Sequence, residues 1–315
     1  MKKNGLACIG LTTLDVVARA IDELPKVEGT GLIEGIACAP AGTAGAPALL
    51  AARLGVASRL ISAVGDDLTG RFIRAALSDA GVDVSDLETL PGLPSSTTLL
   101  AVSSSGVRPG FHALGAGMLA RVTPGALQAA SEVGFLHYGG VGGPKLDGGE
   151  GLSIVQAASR AGAVVTCDLI APQPSAIEEV RRLLPHVDYF LPSAAEAVFL
   201  TGQQDLFAAA ETFRSWGAKA CIIKNGGRGS VVVLDDVSTT LPAYAITPVD
   251  TTSCGDSYCA GFIAALSRGW APLDAARFGT ATAALVAQGL ATLGKVESFE
   301  ATEAAMRQMT LSEAA

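Results

Sequence analysis

The sequence predicts an α/β protein with a doubly wound, mostly parallel sheet flanked by helices, and with a small β-sheet beside it. Short apolar runs rich in β-branched residues alternate with amphipathic segments of helical length, and this alternation predicts the large sheet. Residues 13–37 and 96–113 break the rhythm, because their strand-like runs have no helical segment between them. We therefore expect residues 1–315 to form one domain, with a β-lid built from those two segments.

The elements of the large sheet begin with a strand in "GLACIG", residues 5–10. Helix 43–54 ends at Gly55, and the strand "SRLISAVG" leads into a helix that ends at Gly81. In the second lid segment, polar and apolar residues alternate around a Ser-Ser-Gly turn, which predicts a hairpin. The remaining predicted elements are strand 134–140, helix 150–161, strand 163–170, helix 174–184, strand 187–192, helices 194–202 and 205–216, and strand 219–227.

The charge balance limits the partners of the protein. Lys and Arg number 22 against 30 Asp and Glu, so the formal net charge is −8 and the pI is about 4.9. The sequence has no basic run and few aromatic residues, so we expect neither nucleic acid nor an anionic membrane as a partner. A bound phosphate would have to be held locally, by backbone amides and a few cations.

The cysteines predict the compartment. Six cysteines lie mostly inside apolar segments, without the paired spacing of a metal site, and we expect small buried residues in a reducing cytoplasm. The longest uncharged stretch, residues 35–52, is rich in Gly, Pro and Ala rather than in Leu and Ile. It therefore predicts a loop that leads into a helix, and not a membrane span. The sequence therefore predicts a cytoplasmic protein.

Several enzyme classes lack their motifs in this chain. The segment from Gly289 to Lys295 has most of the P-loop spacing, but Val296 stands where that motif needs Ser or Thr. No G-x-G-x-x-G follows the first strand, and no G-x-S-x-G elbow is present. The three histidines are far apart and lack zinc-ligand spacing. We therefore expect none of four classes: a P-loop enzyme, a nicotinamide-dependent enzyme, a hydrolase with a nucleophile elbow, or a zinc enzyme.

The stretch "PVDTTSCGDSYCAGF", residues 248–262, places polar groups directly before an apolar helix predicted over 254–268. The backbone N–H groups of residues 253–256 would point out of the first turn and form an anion site. Gly255 has no Cβ, so a ligand can approach closely, and the Asp256 carboxylate lies in the same turn. Amides for developing charge and a carboxylate for a hydroxyl proton suit phosphoryl transfer.

The local chemistry leaves a plainer interpretation open. Asp250 or Ser253 would then only cap the helix, and Asp256 would be a favourable first-turn acid. Cys254 has two interpretations as well, since a thiol at a helix N-terminus can be reactive. We expect it to be a passive small residue whose backbone N–H matters, because no histidine base is near in sequence.

The motif "DTTSCGDSYCAGF" resembles the D-T-x-G-A-G-D signature of the ribokinase-like (PfkB) carbohydrate kinases, and the resemblance covers almost the whole chain. That resemblance implies the ribokinase-like form of the α/β fold and an ATP-dependent sugar kinase. Further matching stretches stand in the order of the family's own motifs: "GLTTLD", "PAGTAGAPALLAARLG", "AVGDDLTGRF", "LPSAAEAVFLTG", "IIKNGGRGS" and "FGTATAALVAQGLAT".

The resemblance implies a role for each matching residue. Asp256 would be the general base toward a sugar hydroxyl, and the amides of Ser253, Cys254 and Gly255 would surround the γ-phosphoryl group of ATP. The substrate side would comprise Asp15, Thr13, Gly42 and Thr43, with Arg108 and His112 from the lid. The nucleotide side would comprise Lys224, Gly226, Gly229 and Thr282. Glu196 would order Mg²⁺ through water, Asp250 and Thr252 would form a loop for a monovalent cation such as K⁺, and a homodimer is expected.

The chain departs from the family pattern at three asparagines. Ala46, Ser193 and Gly117 stand where the family commonly has Asn. Loss of an amide that grips vicinal hydroxyls should change which substrate is held, so a modified or acidic sugar is expected rather than ribose, fructose or adenosine. Two alternatives stay open: a nucleoside or sugar-acid kinase of the same fold, and a non-catalytic sugar- or nucleotide-binding regulator.

Overall fold

The computed structural model describes residues 4–170 and 172–312, which form two sheets with helices around the larger one. The strands are β1 Leu6–Gly10, β2 Thr13–Arg19, β3 Gly35–Ala41, β4 Ser58–Gly65, β5 Leu87–Leu90, β6 Thr97–Val102, β7 Gly110–Ala113, β8 Phe135–Val141, β9 Val164–Leu169, β10 Tyr189–Phe190, β11 Ala220–Lys224, β12 Ser230–Val233 and β13 Ser238–Leu241. The helices are α1 Gly45–Arg53, α2 Leu68–Asp79, α3 Pro124–Glu132, α4 Glu150–Arg160, α5 Pro174–Leu183, α6 Ala194–Thr201, α7 Leu206–Ser215, α8 Cys254–Ser267, α9 Pro272–Ala287 and α10 Phe299–Gln308.

The nine-stranded sheet confirms the predicted fold class. Its strand order is β13-β12-β11-β10-β9-β8-β1-β4-β5. All neighbours from β11 to β5 pair in parallel, and only the β11-β12-β13 edge is antiparallel. The elements that had no predicted counterpart are β5, α3, the β12–β13 hairpin and α10. Each is short or lies at the edge of the fold, where a periodic pattern has few residues in which to show.

Both faces of the large sheet are buried, as the crossover helices of a parallel sheet require. Successive residues of β8 alternate between the two layers: Leu136 and Tyr138 pack toward α3, α4 and α5, whereas Phe135 packs toward α1, α8 and α9. Helix α8 is covered by α1 and α9, and Phe262 within it has no exposed surface. Burial of one such side chain contributes about 1.5–3 kcal/mol. This packing fixes α8, and with it the first turn of that helix.

The small sheet has the order β3-β2-β6-β7. Strands β6 and β7 pair in antiparallel fashion, which confirms the predicted hairpin. Its inner face, with Val17, Leu100 and Val102, packs on Ala291 in the loop that follows α9. The Thr292 hydroxyl in the same loop donates to the Pro40 carbonyl at 2.8 Å. The small sheet is therefore attached to the loop behind the first turn of α8.

The cysteines partly follow the prediction. All six are free thiols, and four of them have no exposed surface. Cys254 is partly buried, but Cys38 is exposed on the outer face of the small sheet, so the expectation of burial was wrong there. None of the helices in the described ranges is both long and apolar enough to cross a membrane.

Candidate active site

The first turn of α8 forms the centre of the site. The helix begins at Cys254, and the preceding Ser253 has the left-handed φ of 56°. First-turn amides lack partners within their own helix, and here only Cys254 donates back, weakly, to the Thr251 carbonyl at 3.4 Å. Gly255 is exposed, so the approach to these amides is open. The backbone of this turn therefore has the geometry that the predicted anion site, the amide cradle, requires.

The Asp256 carboxyl lies in this turn, half-buried and close to other carboxylates. Burial, together with the negative charges of Asp168, Asp15 and Glu196, raises the pKa of Asp256 to about 7, and the positive charge of Lys224 opposes this rise. These charges come from different strands and helices of the same edge of the fold. A carboxyl group with a pKa near neutrality can accept a proton from a hydroxyl and release it afterwards.

Lys224 was predicted to lie along the nucleotide, and in the structure it contacts other residues of the chain. It ends β11, but its ammonium points inward, forms an ion pair with Asp168 and lies 3.7 Å from the Cys259 sulfur. A Cβ placed on Gly255 would lie 3.5 Å from the Lys224 nitrogen, so the ammonium sits directly beneath the cradle. Asp168 was not predicted. The sequence feature that could have indicated it is one acidic residue near the carboxyl end of the apolar strand "VVTCDL", because parallel sheets bind ligands at that end.

Glu196 lies in the first turn of α6. Its carboxylate accepts the Ser193 amide at 2.6 Å, and the Ser193 hydroxyl accepts the Glu196 amide at 3.3 Å. Burial and the charge of Asp168 raise the pKa of Glu196 above its usual range, and Lys224 opposes them. Ser193, which replaces the family's asparagine, therefore acts here as a helix cap.

The substrate-side acid, Asp15, is on the inner face of the small sheet. It is buried, and its Oδ1 has no hydrogen-bond partner in the described chain. Burial raises the pKa of Asp15 to about 6, with Thr98 lowering it and Asp250 raising it. The Thr98 hydroxyl lies 3.4 Å from that of Thr13 and 3.0 Å from Nδ1 of His112. The structure thus brings Thr13, Asp15 and His112 together around Thr98.

The predicted substrate loop is tightly packed. Gly42 has a φ of +89°, and a Cβ there would lie 2.6 Å from the Leu11 carbonyl oxygen. The Thr43 hydroxyl donates to the Gly139 carbonyl at 2.5 Å. Ala46 is fully buried in α1, where it offers no polar group. The threonine hydroxyls, and not an amide, are therefore the polar side chains on this side.

Gly117 shows why one asparagine is absent. A Cβ on Gly117 would overlap the Thr12 carbonyl oxygen and lie 3.0 Å from the Ser96 hydroxyl. The backbones approach too closely for any side chain. The Thr12 hydroxyl is itself buried without a partner among the described residues, so an unsatisfied polar atom remains beside the closed position.

Two arginines of the small sheet reach the segment before α8. Arg108, in the β6–β7 loop, donates from Nε to the Thr251 hydroxyl at 2.8 Å. Arg19, at the end of β2, donates to the Val249 carbonyl. The charge of Arg108 also lowers the pKa of Asp15 and that of Cys254, although burial dominates both and raises them. Arg108 therefore lies between the substrate side and the cradle.

Asp250 ties two loops together. Its Oδ1 accepts the Thr252 amide at 2.9 Å and the Thr252 hydroxyl at 2.6 Å, and its Oδ2 accepts the Ala291 amide at 2.9 Å. The aspartate is almost completely buried. It therefore stabilises the turn that enters α8 and attaches it to the loop beneath the small sheet.

The two glycines predicted to bind the nucleotide lie in the β11–β12 loop. Gly226 and Gly229 have φ values of 55° and 85°, and a Cβ on Gly229 would overlap the Leu241 carbonyl oxygen. A cavity of about 220 Å³ lies beyond Leu241, lined by Tyr244 and by Thr280 of α9 among others. Thr282 does not reach this surface: it is fully buried, bonded to the Phe278 carbonyl and packed on Gly261 of α8. A contact of Thr282 with the nucleotide stays a prediction, and the packing of its side chain does not support it.

The fold is that of ribokinases. The structure of Arabidopsis thaliana ribokinase with ribose and ATP matches with a TM-score of 0.80 at 21% identity, covering 98% of this chain and 99% of that one. An E. coli protein assigned as ribokinase II, solved with ATP and Mg²⁺, matches with a TM-score of 0.81 at 20% identity, covering 96% and 99%.

The sequence relatives have the same range of names. A ribokinase from Haemophilus influenzae is 27% identical over 248 residues, which are 76% of this chain and 78% of that protein. A nucleoside kinase from Methanothermobacter thermautotrophicus is 24% identical over 300 residues, 90% and 89% of the two chains. The pattern of the pfkB family of carbohydrate kinases matches residues 3–297. The chain belongs to that family, whose members transfer a phosphoryl group to an alcohol.

Proposed function

We propose that the protein transfers the γ-phosphoryl group of ATP to a hydroxyl of a sugar or sugar-like molecule. The observation that carries the proposal is the Asp256 carboxyl, with a pKa of about 7, in the same helical turn as an exposed amide cradle. A first-turn acid that served only as a helix cap would gain nothing from three further carboxylates nearby. The raised pKa is what a general base requires.

In the proposed reaction, Asp256 accepts the proton of the acceptor hydroxyl as that oxygen bonds to the γ-phosphorus. The bond between the γ-phosphorus and its bridging oxygen breaks, and ADP leaves with the electron pair. The amides of Ser253, Cys254 and Gly255 stabilise the charge on the transferring group. Asp15, whose Oδ1 is buried and unsatisfied, accepts from other hydroxyls of the substrate. Thr13 and Thr43 supply the remaining polar contacts.

We propose that ATP lies along Gly226 and Gly229, with its base in the cavity beside Tyr244. Among the described residues, no group of three His, Cys, Asp or Glu side chains could hold a metal ion unaided. Mg²⁺ binds through one or two carboxylates, several waters and substrate phosphates, so the single carboxylate Glu196 fits it. The ion would neutralise phosphate charge.

A requirement for K⁺ stays a prediction. Asp250 and Thr252 are the candidate residues, but both oxygens of Asp250 already accept hydrogen bonds from the chain. The loop is therefore held in place by the protein's own donors. Turnover measured in potassium and in tetramethylammonium salts at equal ionic strength tests the requirement, and equal rates would exclude it.

The substrate class follows from the side chains around Asp15. His112 and Arg108 lie where a sugar would be covered, and Arg108 carries the positive charge that an acidic sugar needs. A sugar acid or a nucleoside is therefore the alternative to a neutral sugar. A non-catalytic regulator is the alternative of a different class, and the position of Asp256 in the same turn as the cradle argues against it.

The deciding experiment is a panel of neutral sugars, sugar acids and nucleosides, with ADP release followed by a coupled assay. A kinase shows turnover that depends on one substrate group. Binding of sugar or nucleotide without ADP release on any panel member would favour the regulator. The Arg108→Gln variant refines the answer, because it should lose an acidic substrate selectively and leave a neutral one almost unchanged.

We also propose that the small sheet is a lid over the substrate, within one domain, and that it pairs with a second copy of the chain. Strand register aligns Cys38, Val16, Leu99 and Phe111 in one row across its outer face. Leu99 is 47% exposed and Phe111 is 70% exposed, which favours an apolar partner. A Leu99→Lys/Phe111→Lys variant should be monomeric by light scattering; a monomeric wild type would refute the pairing. The cytoplasm stays the expected compartment.

A further inference from the structure

The ion pair beneath the cradle joins two strands that are not neighbours. Asp168 is on β9 and Lys224 ends β11, with β10 between them. The side chains are 6% and 11% exposed, so both charges are nearly removed from water. The Cys259 sulfur of α8 lies 3.5 Å from Asp168 and 3.7 Å from Lys224. The pair therefore fills the space between the sheet and the first two turns of α8.

The ammonium has donor capacity to spare. A lysine ammonium carries three N–H donors, and the side chains of the described residues that accept from Lys224 are Asp168 and the weak acceptor Cys259. The Lys224 side chain keeps 11% of its surface exposed, and its nitrogen is 3.5 Å from the Cβ position of Gly255. A phosphoryl oxygen that approached the amides would meet this donor from below.

We propose that Asp168 is a positioning residue for phosphoryl transfer, which holds the Lys224 ammonium under Gly255 so that Lys224 binds the transferring phosphoryl group. Lys224 is then a catalytic residue of the transfer centre and not a contact along the outer nucleotide. This inference rests on the proposed kinase function and names two residues that act within it.

A purely structural pair is the competing explanation. Buried ion pairs are often no more stabilising than apolar residues of similar size, whereas removal of one partner leaves an uncompensated charge. Single substitutions therefore confuse folding with function. The double variant Lys224→Met/Asp168→Asn removes both charges together and leaves no isolated charge buried.

The matched control is the pair Lys219 and Asp188. These residues precede β11 and β10 at the opposite end of the sheet, and their ion pair measures 2.6 Å. The control variant Lys219→Met/Asp188→Asn removes the same charges by the same substitutions. Calorimetry with Mg²⁺ measures binding of AMP-PNP, a nucleotide that has a γ-phosphoryl group, and of AMP, which lacks it.

We expect the Lys224→Met/Asp168→Asn variant to bind AMP-PNP at least about 10-fold more weakly and to lose on the order of 10²-fold in kcat. Its affinity for AMP should stay unchanged, and the control should match the wild type in all three measurements. If AMP-PNP affinity and kcat stay within about 3-fold of the wild type, the pair is structural and the proposal is overturned. Equal losses for AMP and AMP-PNP would also overturn it.

Asp168→Asn alone tests positioning. The charged groups that face Asp256 are Asp168 on β9, Lys224 on β11, Asp15 on β2 and Glu196 on α6. Without the Asp168 charge, the acid limb of the kcat–pH profile should move to lower pH while kcat falls about 10-fold. An AMP-PNP affinity of Asp168→Asn within about 3-fold of the wild type would contradict positioning of Lys224. If the wild type releases no ADP at all, the proposed function fails, yet AMP-PNP binding by the two double variants still decides the role of the pair.

Discussion

Two lysine–aspartate pairs lie at opposite ends of the large sheet, and they differ in how far their side chains are exposed to water. The Lys219–Asp188 pair at the amino ends has side chains 67% and 21% exposed, whereas the Lys224–Asp168 pair at the carboxyl ends is 11% and 6% exposed. The first pair lies beside solvent and the second beneath an amide cradle. Position on a parallel sheet, and not residue type, therefore separates a surface contact from a candidate catalytic group.

The largest expected effect is a loss of kcat on substitution at the carboxyl end of the sheet. Asp256→Asn removes the base and keeps the shape, so kcat should fall by about 10²–10⁴ in the coupled ADP assay. Asp188→Asn at the amino end should leave kcat within about 2-fold, because it is remote from the cradle. Loss of less than about 10-fold in Asp256→Asn would contradict its role as the base.

Stability should change in opposite directions at the two ends. The pKa of Asp256 is raised to about 7, so its charged form is disfavoured in the folded protein. The resulting loss of folding free energy is absent below about pH 4, grows as the pH rises, and is complete above pH 7. Asp256→Asn should therefore raise the free energy of unfolding by about 1–2 kcal/mol at pH 8 and by nothing at pH 4.

Asp188→Asn should instead lower the free energy of unfolding. It weakens a 2.6 Å contact with Lys219 and a 2.8 Å bond from the Val165 amide, and should cost about 0.5–1 kcal/mol. Urea unfolding at both pH values measures the two variants. Destabilisation by Asp256→Asn at pH 8 would show that the carboxylate cluster carries no repulsion.

A smaller effect is expected at the rim of the site. Arg108→Gln removes the guanidinium that donates to Thr251 at 2.8 Å, so KM should rise roughly 5- to 10-fold for an acidic substrate and stay within about 2-fold for a neutral sugar. Arg121→Gln is the matched control, since Arg121 pairs with Glu88 away from the cradle. Equal effects from both variants would make Arg108 a general surface charge.

The smallest effect is expected for the most conspicuous thiol. Burial raises the pKa of Cys254 to about 12, so the thiolate that reactivity requires is scarce at neutral pH. Cys254→Ala keeps the backbone amide and should leave kcat/KM within about 3-fold. Loss of all activity would show that the side chain takes part in the reaction.

The fold was predictable because its signals are local. Glycines ended the predicted helices at Gly55 and Gly81, and the strand 58–65 was placed at its observed limits. The start of α8 at Cys254 followed from helical periodicity after polar residues. Such features need only neighbours in sequence, and a chain of mostly parallel strands connected by helices leaves few other arrangements.

The surroundings of several site side chains depend on contacts across the fold. Helix α9 is apolar on several sides, so its sequence did not show that Thr282 faces Gly261 rather than a ligand. The direction of Lys224 is set by Asp168, which is 56 residues earlier in the chain. Arg108 and Thr251 are 143 residues apart, and no local pattern joins them. Roles that rest on pairs of this kind appear only once the strands are ordered.

The exposed Cys38 thiol offers a single handle for chemical labelling. The Cys254 thiol is held protonated, and the remaining four are fully buried, so a maleimide dye should attach to Cys38 alone. The fluorescence of a dye on the outer face of the small sheet, measured with and without substrate, would test whether that sheet moves on binding. Protection of the same thiol from alkylation at rising protein concentration would report a second copy covering it. Labelling of Cys38 therefore tests both a movement of the small sheet and its contact with a second copy of the chain.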